Sequence, residues 1–165
     1  MAFDCFAFID GARGESDDAM HRGWIEVLSF SHRLAQPASG SASTGGGRSR
    51  ERCEHGDFVI EKAMDKTSTK LAEWCCKGAT IPEIKIEVCR ATGDKQKYAE
   101  IVLSDSIVSE FQMTGADQGE GALPIEVVSF NYGKIEWKYI ETDHNTGAPL
   151  GSVDAGWDRV TNDVV

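Results

Sequence analysis

The stretch that most limits what this chain can fold into runs from Leu123 to Glu141 and reads LPIEVVSFNYGKIEWKYIE. Side chains on a strand alternate between faces, so residues two apart share an environment. Val128, Phe130 and Tyr132 share one face, which Glu126 joins at its start; beyond Gly133 the apolar set becomes Ile135, Trp137 and Tyr139, with Glu136 and Lys138 between them. Each half therefore predicts a strand with one buried and one wet face. The change of parity at Gly133 requires either a two-residue turn or an extra residue that bulges the strand, and glycine permits both.

The rest of the chain repeats this pattern in shorter pieces. Ala2–Asp10 predicts a first strand with Phe3, Cys5, Ala7 and Ile9 on one face and Phe6 and Phe8 on the other. Gly11–Gly23 is an acidic, glycine-punctuated connection. Trp24–Arg33 predicts a second strand, with Trp24, Leu28 and Phe30 on one face and Val27, Ser29, Ser31 and Arg33 on the other. The small hydroxyl residues leave that second face smooth and wettable. Phe58–Met64 alternates with Phe58 and Ile60 inward, and Ile84, Ile86 and Val88 open another sheet region. The turn residues Thr92-Gly93-Asp94-Lys95 then precede a strand with Ala99, Ile101 and Leu103 inward. Ile107, Phe111 and Met113 mark a further strand after Ser104-Asp105-Ser106, and Gly115–Gly121 is a second acidic loop.

One helix is expected. Thr67 or Ser68 is its N-cap, Lys70–Lys77 lacks a breaker, and Gly78 stands where a left-handed residue ends a helix. Leu71, Trp74 and Cys75 form its packing stripe, and Cys76 points about 100° away from Cys75. After Glu141 the chain is turn-rich to residue 165, with Trp157 its one large anchor. Many short strands and one helix predict a single, mainly β domain over residues 1–165. Its form is an antiparallel β-barrel or two packed β-sheets with the helix on the side.

Composition excludes several function classes. Seventeen basic against twenty-seven acidic residues give a formal charge of −10, which argues against nucleic acid or an anionic membrane as partner. The opening MAFDCFAFIDG lacks the basic start and apolar run of a signal peptide. The expectation is synthesis and folding in the cytoplasm, with any export by a route that reads no cleaved leader, and no membrane insertion. Five cysteines without CxxC spacing read as reduced thiols.

Gln36–Arg52 is a glycine- and serine-rich loop ending in Arg48, Arg50 and Arg52. It lacks the Gly-Lys-Ser/Thr ending of a phosphate loop and the interleaved aromatics of an RNA-binding tract. The four histidines are scattered along the sequence, and HExxH and GxSxG are absent. The reading is no catalytic residue, no metal site and no cofactor.

Several fragments resemble, in order, the haemolysin-coregulated protein family, the tube subunits of type VI secretion. They are MAFDxFxxIDG, GES at Gly14–Ser16, EVLSFSxxxxQP, DKxSxKL, ATGDxQxY, LPIEVVSFNYGKIEWKY and the terminal AGWD. IVLSDSIVSEFQMTG is a degenerate further match, and His32-Arg33 stand where a Trp-Gly pair is usual. The resemblance implies a homo-hexameric ring that stacks into a hollow tube inside a contractile sheath, with a spike protein at the tip and effector proteins in the lumen. It implies export through that apparatus and, since the chain stops just after AGWD, a subunit without an activity of its own. On this resemblance Ser29 and Ser31 are expected to face the lumen, and Arg48, Arg50 and Arg52 to reach an acidic neighbour or the next ring. The alternative is a monomeric β-domain that binds a small ligand or peptide.

Overall fold

The computed structural model describes residues 2–37, 51–117 and 119–165. Two antiparallel sheets enclose one core, with a single helix among the described residues. The larger sheet orders its strands β12 (Asp163–Val164), β11 (Pro149–Asp158), β10 (Lys134–Thr142), β8 (Lys97–Thr114), β7 (Ile81–Arg90), β1 (Phe3–Ile9) and β2 (Ile25–Val27). The smaller sheet contains β3 (Ser29–Ser31), β6 (Phe58–Ala63) and β9 (Ile125–Asn131), and β9 pairs with the second half of β8. A separate ribbon, β4 (Leu34–Ala35) with β5 (Glu54–His55), stands where the chain enters and leaves the 36–52 loop.

β8 thus belongs to both sheets, and so does the chain segment that lines it. β9 and β10 do not pair with each other; they follow β8 end to end, as Asn131↔Ile107 and Lys134↔Ser104 show. The register is the same on both sides of Gly133, so no residue has been inserted there. The partner distorts as well: Asp105 is left-handed (φ 51°), a conformation that Asp tolerates better than most residues. Buried positions in β8 change from Ile101 and Leu103 to Ser106 and Val108, as those opposite change from Phe130 and Tyr132 to Ile135. Gly133 N–H donates to Ser104 O at 3.0 Å across this joint. The parity change of the sequence is a matched kink in two strands.

This joint corrects two expectations. Residues 97–114 form one strand rather than two, and beyond Asp105 it is Val108 that enters the core while Ile107 and Met113 face out. The second strand also differs. Ile25 and Val27 are buried on β2, the chain bends at exposed Leu28, and β3 continues in the other sheet with Phe30 half-buried. A strand that switches sheets must change its inward parity, so Val27 does not share a face with Ser29. The segment after Glu141 also contains more regular structure than its turn residues suggest. β11 is ten residues long but mostly exposed, held to β10 by main-chain pairing and lacking any apolar alternation.

Ile25, Ile60, Leu71, Leu103, Val128 and Ile135, all fully buried, mark the core between the sheets. The helix α1 (Ser68–Lys77) lies against β8 and sends Leu71 into that core, with Trp74 and Cys75 half-buried beside it and Cys76 exposed. Thr67 occupies its N-cap position without a side-chain cap bond; instead Asp65 Oδ1 accepts from Thr67 N–H (2.8 Å) and Oγ1 (2.5 Å). Gly78 closes it in the left-handed conformation (φ 63°), where no Cβ is required to fit. The cysteines are free, and burial raises the thiols of Cys5 and Cys89 to about 12 and 11.

The Gly11–Gly23 connection is fixed by charge. His21 stacks on Phe6 at 4.2 Å, with Nδ1 2.8 Å from Asp18 Oδ2 and Nε2 2.6 Å from Glu87 Oε2. Lys95 donates to Asp18 at 2.6 Å, and Lys97 to Glu87 and Glu100. The bonds from Lys95 and then His21 lower the Asp18 carboxyl from its ordinary 3.8 to about 2. A carboxyl depressed by folding contributes stability that is whole above its unfolded value and disappears as pH falls through its folded one. Asp18→Asn is therefore expected to remove the part of acid destabilisation that develops between pH 3.8 and about 2. Melting temperatures of both proteins across that window test it; parallel curves would exclude Asp18 as a source.

Candidate functional site

The outward face of the smaller sheet collects its side chains in cross-strand rows. One row reads Ser31, Val59, Ser129 and Glu110 across β3, β6, β9 and β8; the next reads Ser29, Glu61, Val127 and Gln112. Their neighbours along each strand, Phe30, Ile60, Val128 and Phe130 among them, face the core, so alternation leaves hydroxyls, acids, an amide and small valines on the outer side, where Ser129 is itself covered. Ser29 and Ser31 are both exposed. At the edge of this face Asp57 is held by Ser109 Oγ (2.6 Å) and by Asn131 Nδ2 (2.9 Å). No large apolar side chain interrupts the two rows. Chemically the face offers hydrogen bonds and negative charge to whatever passes it.

Of the three arginines assigned to the loop tip, Arg48 and Arg50 lie outside the described residues. Arg52 is engaged within its own chain: Nη2 donates to Arg159 O at 3.0 Å and Nε to Asn162 Oδ1 at 3.2 Å. Arg159 in turn donates from Nη1 to Tyr132 O and from its main chain to Gly133 O, both at 2.9 Å. The exit of the loop and the C-terminal turn are thereby stapled together over the kink.

Two polar clusters escaped the sequence reading. Histidines that look scattered along the chain meet at Tyr132, whose hydroxyl lies 2.7 Å from His32 Nε2 and 2.8 Å from His55 Nδ1. A phenol has one proton, so one imidazole accepts and the other donates. Burial raises the Tyr132 hydroxyl to about 12. It lowers His32, with His55 adding to the effect, and it lowers His55, with Arg159 adding. The sequence placed Tyr132 on a buried face, where its hydroxyl needs a partner. It did not show that the 36–52 loop returns His55 beside His32.

The second cluster is an ion pair within the core. Lys62 and Glu126 are both 0% exposed, with Nζ 2.5 Å from Oε1. Ser68 Oγ, at the start of α1, approaches both at 3.3 and 2.7 Å, and Asp65 lies 3.1 Å from the ammonium. The signal was present: Lys62 continues the inward parity of Phe58 and Ile60, and Glu126 that of Val128. Among the described residues no group of three or more His, Cys, Asp or Glu is arranged to hold a metal ion.

The model of the family described as "Type VI secretion system effector, Hcp" matches residues 6–139. The chain belongs to the Hcp family. Protein hcp1 of Pseudomonas aeruginosa is 32% identical over 158 residues, covering 95% of each chain. A solved type six secretion system protein superposes with a TM-score of 0.92 at 31% identity, over 99% of this chain and all of that one. Hcp1 of Salmonella typhimurium gives 0.81 at 27% identity, with both chains fully covered. The two-sheet architecture is therefore that of Hcp, and the chain is a type VI secretion protein. The Hcp fragments of the sequence map onto structural joints: GES lies in the stapled Gly11–Gly23 connection, and AGWD ends the strand that closes against β10.

Proposed function

We propose that this Hcp chain is a structural subunit of the secretion tube, which forms hexameric rings that stack into a hollow tube and carry effectors. The observation that carries the reading is the outer edge of β11. Among the described residues that edge is paired only at Trp157 and Asp158, by β12. Leu150 and Val153 on the same strand are 61% and 72% exposed. An unpaired edge with apolar side chains is a liability that a neighbouring subunit covers. A head-to-tail contact of this kind closes into a ring when its rotation divides a full turn. The hydroxyl and acid rows around Ser29 and Ser31 supply a polar lining for the bore, which offers cargo hydrogen bonds in place of an apolar patch.

In this reading the partners are the chain itself, the contractile sheath, the spike protein and effectors within the lumen. The subunit acts by shape, catalyses nothing, and leaves the cell through the apparatus. Arg48 and Arg50 meet the acidic side of the next ring, while Arg52 holds the loop exit to the C-terminal turn of its own chain. Because the tube must come apart after delivery, ring-on-ring contact is weaker and more polar than contact within the ring.

Mass measurement in solution with electron microscopy tests the reading. The expected particle is an annulus of about six times the 18.0 kDa chain mass, with stacks lost before rings on dilution. An 18.0 kDa species at every concentration would overturn it and favour the monomeric ligand-binding alternative. Ser31→Tyr is expected to leave the ring intact and to reduce effector co-purification several-fold; undiminished loading would remove Ser31 from the lumen.

A further inference from the structure

Four adjacent strands of the larger sheet end in a row of inward-parity side chains that the smaller sheet does not reach. Phe3 on β1 lies directly opposite Arg90 on β7, and Ala99 of β8 lies opposite Tyr139 of β10, next to Tyr98. Phe3 continues the face of Cys5, Ala7 and Ile9, and Tyr139 that of Ile135 and Trp137, so this row is the core continued past its cover. The register shifts between Val88 and Cys89, leaving Tyr98 of β8 as an extra, unpaired residue at the same level. The result is a cavity of about 400 Å³ walled by Ala2, Phe3, Ala91, Tyr98 and Tyr139, with Arg90 among them.

Arg90 is unusual in this chain. Nη2 donates to Thr142 Oγ1 at 2.5 Å, and the guanidinium carbon stands 5.8 Å from the centre of the Tyr98 ring. Its Nε is buried with no acceptor, and among the described residues no carboxylate pairs with it. Acidic residues exceed basic ones by ten, yet this partly buried cation has only a hydroxyl and an aromatic face for company. Buried charges are paired, and an orphaned donor calls for an explanation. The volume lies in the range of small-molecule sites, which combine apolar walls with a few polar groups.

We propose that this cavity binds a small monocarboxylate with an apolar body, such as a medium-chain fatty acid or an aromatic acid. The carboxylate pairs with the Arg90 guanidinium while the apolar body lies among Phe3, Tyr98 and Tyr139. Guanidinium and carboxylate meet as a planar, charge-assisted pair, and the excluded aromatic surface supplies the remaining affinity. The site is distinct from the hydroxyl rows and does not depend on the ring reading.

Calorimetric titration of the purified protein with decanoate below its micelle concentration, and with decanol as the uncharged analogue, tests the assignment. The expected result is one saturable decanoate site per chain. Arg90→Met is expected to weaken decanoate at least about tenfold, the size of a lost charged hydrogen bond, and to leave decanol unchanged. Tyr139→Ala, at the half-exposed rim, keeps the fold while weakening both ligands. Absence of saturable decanoate binding to the wild-type protein overturns the proposal, as does equal affinity in Arg90→Met. Failure of both proteins to bind, with a changed particle mass in Arg90→Met, also overturns it and assigns the cavity to a second copy of the chain.

Discussion

Glu126→Ala is expected to destabilise the protein by about 3–5 kcal/mol, enough to consume much of a domain's stability. The carboxylate sits 2.5 Å from Lys62 Nζ with both side chains fully excluded from water. Removing it strands an ammonium in the core with Ser68 Oγ, Ala63 O and the partly buried Asp65 as its remaining partners. Helix α1 loses its polar tie to β9 in the same step, because Ser68 Oγ also approaches Glu126. Replacing both partners leaves no fully buried charge behind, only the partly exposed Asp65 carboxylate, so Lys62→Met with Glu126→Leu is expected to recover most of the loss. Denaturant titration of the single and double variants measures this; a single variant within about 1 kcal/mol of wild type would show that the pair contributes little.

Gly14→Ala is the second large effect. A Cβ at Gly14 would stand 2.3 Å from the Trp24 carbonyl oxygen and 2.6 Å from its carbon. These are main-chain atoms, already held: Trp24 O accepts from Ser16 N–H, and Gly14 N–H donates to Gly23 O. The clash cannot be relieved by rotating a side chain, so the connection must lift from β2. The expected cost is about 3 kcal/mol, the upper part of the overpacking range. The connection should then become protease-sensitive around Gly11–Gly23 while the remaining sheets persist. Intact resistance to limited proteolysis would count against the assignment. The glycine of the Gly14-Glu15-Ser16 tripeptide is thus required by the approach of two main chains.

How far the fold was legible depended on what each segment buries. Where one face meets the core and the other meets water, as in β6, β7 and β9, alternation located both strand and orientation. Leu71 and Gly78 likewise fixed the packing face and the end of α1. Legibility failed where strands change sheets. Leu28 and Ile107 are apolar in places that local pattern assigns inward, yet a bend or a kink beside each turns it outward. It failed again at β11, which packs Trp157 against the core but is otherwise held by main-chain pairing that leaves no trace in side-chain periodicity. The exposed positions of Ser29 and Ser31 followed from alternation alone. The meeting of His32, His55 and Tyr132 did not, because a contact across a long loop has no local signature.

The paired kink at Asp105 and Gly133 has a mechanical corollary. Because β8 and the β9–β10 segment run unbroken through both layers, a pull on either layer travels along covalent backbone into the other instead of prising apart a packed seam. A domain built this way shares a load between its two layers through the main chain itself.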